Sequence, residues 1–259
     1  MALHIAGASG GVQGATQLRA VQTEARIADF TADDPVLRVR GTVHGPGDEA
    51  LDFVRRSPLA ALLDGVLDQA RLDGPVALGL GLELPLNRPE AVRVSGQLRL
   101  NGNDLRVLPD APWLRATSGT LDFTEQGFRV PQASARLLGG ELRFSGAMDR
   151  QGGQTTVRFQ GQGSVSADGL RRSGDLDGPW AALATLGQHS SGATTYQARL
   201  AFAPEGTQVR VESGLQGLAL ALPAPLDKTA PALLPLLFEV TPQPVAGPAG
   251  VRRDRWALE

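Results

Sequence analysis

Residues 76–86 read VALGLGLELPL, with Val76, Leu78, Leu80, Leu82, Leu84 and Leu86 separated by Ala77, Gly79, Gly81, Glu83 and Pro85. A period of two predicts a strand whose two faces meet different surroundings. The same alternation recurs along most of the chain. VRVSGQLRL puts Val92, Val94, Leu98 and Leu100 on one face and Arg93, Ser95, Gln97 and Arg99 on the other. Further strands are predicted around Leu121 and Phe123, Phe128 and Val130, Leu142 and Phe144, and Val157, Phe159 and Val165. Beyond these come Tyr196, Leu200 and Phe202, then Val209 and Val211, then Leu218, Leu220 and Leu222. Turn chemistry lies between the runs, in NGND (101–104), TEQG (124–127), RQGG (150–153) and APEG (203–206).

A weak repeat runs through these segments. Gly96, Gly119 and Gly140, 23 and then 21 residues apart, each precede an apolar–polar–apolar triplet. That spacing suits a meander of strand pairs. One segment departs from it. GDEALDFVRRSPLAALLDGVLDQARLDG (47–74) has helical spacing at Leu51, Val54, Leu59, Leu62 and Leu63, acidic residues at its start, and Pro58 as a kink or break. A second short helix is predicted over 178–186, with Pro179 in its first turn. The stretch 224–235 is rich in proline, a further strand is expected over 236–240, and GVRRDRWALE resembles the start of another. The chain therefore divides by sequence into strands over 1–46, a helical insertion over 47–74, a meander over 75–223, and a proline-rich segment with a final strand over 224–259.

Composition narrows the function. Apolar residues make up 42% of the chain, enough to build a core. The 25 basic and 27 acidic residues nearly balance, so no general nucleic-acid surface is expected. Lys228 is the only lysine and there is no cysteine, which excludes disulfides, cysteine-zinc sites and thiol nucleophiles. No apolar run is long enough for a membrane-spanning helix, and MALHIAGASGG lacks the pattern of a signal peptide.

Local motifs offer little chemistry. Gly7, Gly10, Gly11 and Gly14 follow a short apolar run, as in dinucleotide-binding turns. Their spacing is not GxGxxG, and a nucleotide enzyme would need a parallel sheet with interleaved helices. His4, His44 and His189 stand far apart. His189 beside Ser190 and Ser191 lacks the strand–turn–helix setting of a nucleophile. Asp104, Asp110, Glu125 and Asp149 read as solvated turn residues. Neither catalysis, nor a metal, nor a cofactor is expected.

Four longer strings carry a resemblance: VRGTVHGPGDEALDFVRRSPLAALLDG (39–65), VSGQLRLNGNDLRVLPDAPWL (94–114), ARLLGGELRFSG (135–146) and SGLQGLALALPAPLDKTA (213–230). The most specific parts are SPLAAL, NGNDL and LQGLALALPAPL. From about Arg26 to Leu237 the chain resembles the YhdP branch of the AsmA-like proteins. These are large envelope proteins of Gram-negative bacteria, anchored in the inner membrane and reaching through the periplasm. The resemblance implies a piece of a much longer protein, without that protein's membrane anchor. It also implies a periplasmic location and an apolar β-groove along which phospholipid passes between the inner and outer membranes. It supplies no catalytic residue.

Two expectations follow. The fold is all-β, a mainly antiparallel meander with one or two short helices, forming an elongated, twisted, open β-groove of repeated strand pairs. Its lining is expected at Leu78, Leu80, Leu82, Val94, Leu98, Leu121, Phe123, Leu142, Phe144, Val157, Phe159, Leu200, Phe202, Val211, Leu218 and Leu220. The partners would be phospholipid acyl chains, with membranes reached through other parts of the protein. Unpaired strand edges also predict self-association of the fragment. Roughly ten strands about 4.8 Å apart give a trough on the order of 50 Å long. Such a trough would spare a moving lipid the roughly 0.8 kcal/mol that each exposed CH₂ costs in water. The alternative is a structural or adhesive β-domain in which the same residues form a dry core.

Overall fold

A chain that alternates apolar and polar residues can satisfy its backbone by pairing neighbouring strands and bury one side of the result. The computed structural model describes residues 3–7, 18–56, 68–109, 111–151, 154–175, 179–203, 206–242 and 254–258. The strands are β1 (Leu3–Gly7), β2 (Arg19–Ile27), β3 (Val36–Pro46), β4 (Arg71–Asp73), β5 (Pro75–Pro85), β6 (Arg93–Arg106), β7 (Leu114–Thr124) and β8 (Gly127–Leu137). They continue as β9 (Gly140–Gln151), β10 (Gln154–Ser166), β11 (Ser190–Ala203), β12 (Gly206–Ser213), β13 (Leu218–Leu220), β14 (Leu236–Pro242) and β15 (Asp254–Leu258). Three short α-helices are described: α1 (Gly47–Arg56), α2 (Ala167–Arg171) and α3 (Pro179–Gln188). The sheet is mainly antiparallel, as the alternation and short turns predict, and open rather than closed into a barrel, as the family resemblance implies.

The chain forms two compact units, one of residues 1–107 and 116–130, the other of 108–115 and 131–259. In the first, β1, β2, β3, β5, β6 and β7 are successive neighbours, and β4 pairs with the far end of β6. The register places like with like. Leu78 lies opposite Val43 and Leu98, and Leu82 opposite Val39 and Val94. In the second unit the order from β9 onward is β10, β11, β12, β14 and β15, with β13 on the first residues of β11. Here Phe159 lies opposite Gly146 and Leu200, and Val211 opposite Ala198 and Phe238. The hairpin from β8 to β9 turns on Leu138 and Gly139, both at positive φ (49° and 78°), the conformation that matches strand twist in a two-residue turn.

Several local expectations need correction. NGND (101–104) is not a turn; β6 runs through it. Gly102 takes a φ of 79°, and Asn103 is 1% exposed. The Asn103 amide donates to the carbonyls of Asp73 and Pro75 (3.1 and 3.0 Å), while its carbonyl accepts from the Asn101 N–H (2.8 Å). The side chain thus ties β6 to the chain entering β5, a tertiary role that local turn chemistry does not reveal. Within 47–74, only α1 is a described helix; residues 57–67, with Pro58, lie outside the described residues, and 71–73 form β4. Helix α2 was not anticipated. Ser166 caps it by accepting from the Gly169 N–H at 3.1 Å, but five residues are too few to show a period. The helix expected at 178–186 is α3, and the strands expected near 236 and after 250 are β14 and β15.

Candidate functional site

Each unit presents one apolar sheet face, and each face has a covered end. In the first unit, α1 turns its Ala50 and Leu51 onto Leu18, Ala70, Leu72 and Val76, with Val43, Leu98, Leu100 and Leu105 packed around them. The fit is close: a Cβ on Gly47 would stand 2.6 Å from the Leu72 carbonyl oxygen and from its Cγ. In the second unit, Ala167 of α2 meets Leu215, Leu218 and Leu220, with Leu186, Leu222, Leu234 and Leu236 around them. The Lys228 ammonium fastens this end by donating to the carbonyls of Leu218 (2.6 Å), Leu215 (2.8 Å) and Thr229 (3.2 Å).

Away from the covered ends the apolar residues stay partly exposed. In the first unit Leu80, Leu82, Val94, Leu121 and Phe123 are half-buried, whereas Leu78 is buried and the half-buried Leu98 packs against the covered end. In the second, Phe144, Phe159, Leu200, Phe202 and Val211 are half-buried. Leu142, Val157, Leu218 and Leu220 are buried, the last two within the cluster beneath α2. The residues expected to line one surface thus divide into core and open face.

Glycine shapes the open face. A Cβ on Gly146 would stand 2.1 Å from Cδ1 of Phe159, and one on Gly96 would stand 2.3 Å from Cζ of Phe123. The rings lie down on cross-strand glycines instead of standing away from the sheet. Phe144, Phe159 and Phe202 form a row, with ring centroids 6.5 Å apart at each step and tilted or edge-on planes. These pairings need cross-strand register, and a glycine in a strand reads locally only as a bulge or close approach. In the first unit Leu37, Val39 and Val43 of β3 share the face of Leu84, Leu82 and Leu78. Their alternation in VLRVRGTV was a legible signal.

Tyr196 stands on the apolar face opposite Gly163. Its phenolic oxygen is buried without a hydrogen-bond partner among the described residues. Burial pushes its pKa up to about 12.

The other face is polar. Arg38 pairs with Glu83 (3.1 Å), the Gln97 amide donates to Asp122 (2.7 Å), and Arg210 contacts both Glu212 and Glu239. The guanidinium of Arg210 holds the Glu212 carboxyl below its usual range. A concavity of about 960 Å³ in the second unit is lined by Arg143, Gln162, Gln197, Arg210 and Glu212 together with Tyr196, Leu236 and Leu237. Two of the turn carboxylates have structural partners. Asp104 accepts from the Ala116 N–H (2.9 Å), and Glu125 from the Val94 N–H (3.1 Å); Asp110 lies outside the described residues.

Among the described residues the remaining motifs bring no reactive groups together. β1 pairs antiparallel with β2, unlike the parallel start of a dinucleotide fold, and residues 8–17 of the glycine loop lie outside the described residues. His189 sits in the turn after α3, and the buried Ser190 hydroxyl donates to the Gly187 carbonyl at 3.3 Å. Among the described residues there is no cluster of three metal-ligating side chains, and no helix is long and apolar enough to cross a membrane.

Comparison with known proteins adds to this geometry. A family model described as YhdP protein matches residues 2–252. The intermembrane phospholipid transporter YhdP of Escherichia coli (strain K12) is 26% identical over 259 residues, covering 93% of this chain and 19% of that relative. The chain thus spans about a fifth of the relative's length. No solved structure matches.

Proposed function

The chain belongs to the YhdP family, and from that premise we propose that it is a lipid-binding segment of a longer phospholipid transporter. Its half-buried apolar faces hold acyl chains on their way between the inner and outer membranes. The segment works in the periplasm, and the longer protein is anchored in the inner membrane by parts outside this chain. It acts by binding and guiding, not by catalysis.

The observation that carries this reading is the partial exposure of Leu80, Leu82, Val94, Phe123, Phe159, Leu200 and Phe202 on faces that are apolar across several hydrogen-bonded strands. Contiguous apolar surface of this kind is rarely left without use. An acyl chain laid on it removes CH₂ groups from water at roughly 0.8 kcal/mol each. The trough needs no polar partner for the chain. The face opposite is charged and suited to water. Leu78, Leu142, Val157, Leu218 and Leu220, being buried, serve as packing that holds the lining in place.

The test is lipid retention. The protein is purified from bacteria without detergent, and bound lipid is read by native mass spectrometry and extraction. Phospholipid should co-purify, and Leu80→Asp with Phe123→Asp should abolish it in a protein whose circular dichroism is unchanged. A folded wild-type protein that carries no lipid and takes up none from vesicles would overturn the reading in favour of a structural β-domain.

A further inference from the structure

We propose that the Tyr196 hydroxyl is the polar anchor of the second unit's apolar face, donating a hydrogen bond to the carbonyl oxygen of an acyl group whose hydrocarbon tail lies along β11. This rests on the lipid-binding reading above and adds to it a fixed position for the head end of the chain.

Tyr196 is the only tyrosine in the sequence. Its ring lies against Gly163, where a Cβ would stand 2.9 Å from the phenolic oxygen and 3.0 Å from Cζ. A tyrosine serving only as packing finds a partner for its hydroxyl when buried. This one has none among the described residues. Desolvation raises its pKa, so at neutral pH the oxygen carries its proton and is a donor. An acyl carbonyl is an acceptor that comes with its own apolar tail, which matches what surrounds the hydroxyl on one side.

Along β11 itself the side chains on this face change polarity at this residue. Towards the end of β11 the same face carries Ala198, Leu200 and Phe202, with Phe159 opposite Leu200. Towards its start stand the buried Thr194, whose hydroxyl is 3.5 Å from that of Ser213, and then the buried Ser190 beneath the covered end. An amphiphile therefore fits in one direction, with its carbonyl at Tyr196 and its tail over the Phe row. From Tyr196 to Phe202 is six steps of a strand, about 20 Å. One acyl chain fills about half of a bilayer's roughly 30 Å hydrocarbon core, so this stretch of β11 is long enough to hold it. The carbonyl reaches the oxygen when the ring tilts away from Gly163.

The experiment compares the 259-residue wild type with Tyr196→Phe. Each is incubated with vesicles of a diester phosphatidylethanolamine, with its diether analogue, and with oleate, and bound lipid is counted by native mass spectrometry. The wild type should retain the diester or oleate several-fold better than the diether, and Tyr196→Phe should lose that preference while melting no lower than wild type. Preference confined to the diester identifies a glycerolipid ester as the source of the carbonyl, and preference confined to oleate a free fatty acid; both support the anchor. Equal retention by the two proteins, or a wild type that prefers neither the diester nor oleate to the diether, overturns the role of Tyr196 and leaves the apolar face intact. A wild type that takes up none of the three overturns both.

Discussion

Val76 and Leu78 at one end of β5 are 4% and 5% exposed. Leu82 and Leu84, further along the same face, are only half-buried, and Leu86 just past the strand is 42% exposed. All five are aliphatic side chains within one alternating run. They differ in what lies over them. Val76 belongs to the cluster formed by α1, Ala70 and Leu72, and Leu78 lies between Val43 and Leu98, which pack against it. The second unit repeats the contrast, with Leu218 at 1% exposure beneath α2 and Leu200 half-buried on the Phe row. The lesson is that an alternating strand supplies apolar surface, and a separate element decides whether that surface becomes core or stays available.

The contrast breaks most visibly at its covered end. Leu218→Ala should cost about 2–5 kcal/mol, because it leaves a cavity in a close-packed cluster, while Leu200→Ala should cost about 1 kcal/mol or less. Urea denaturation followed by circular dichroism separates the two, and equal losses would mean that the Phe row is also core. Next in size is Lys228→Met, which removes the charge-assisted hydrogen bonds to Leu215, Leu218 and Thr229. It should lower stability by about 1–3 kcal/mol in the same assay.

On the open face, Gly146→Ala should destabilise by about 1–3 kcal/mol, since the new methyl meets the Phe159 ring. Combined with Phe159→Ala, the glycine change should cost less than it does alone, and a double-mutant cycle measures that coupling. Tyr196 gives a pH signature. Its pKa is raised in the folded chain, so its contribution is fully present below the ordinary tyrosine pKa near 10 and is lost as pH rises through about 12. Stability should therefore fall across that window by up to about 1.4 kcal/mol per pH unit, with a shallower fall in Tyr196→Phe. The smallest effect is expected on the polar face. Arg38→Ala breaks an exposed ion pair with Glu83 and should change stability by about 0.5 kcal/mol or less.

The alternation determined the elements. VALGLGLELPL became β5, VRVSGQLRL most of β6, and LRFSG the centre of β9, because a period of two is a property of the strand itself. The same runs fixed which side of each strand is apolar, and the family resemblance followed from the strings that contain them. What local sequence could not determine was everything requiring a second segment. NGND reads as a turn until Asn103 is seen satisfying the carbonyls of Asp73 and Pro75. Gly146 and Gly96 read as breaks in a strand until Phe159 and Phe123 are seen lying on them. Leu218 and Leu220 read like Leu200, and only the packing of α2 and the clasp of Lys228 placed them in a core. Exposure is a sum over neighbours that are distant in the chain. The sequence can therefore state that a face is apolar, while the tertiary structure alone decides what that face meets.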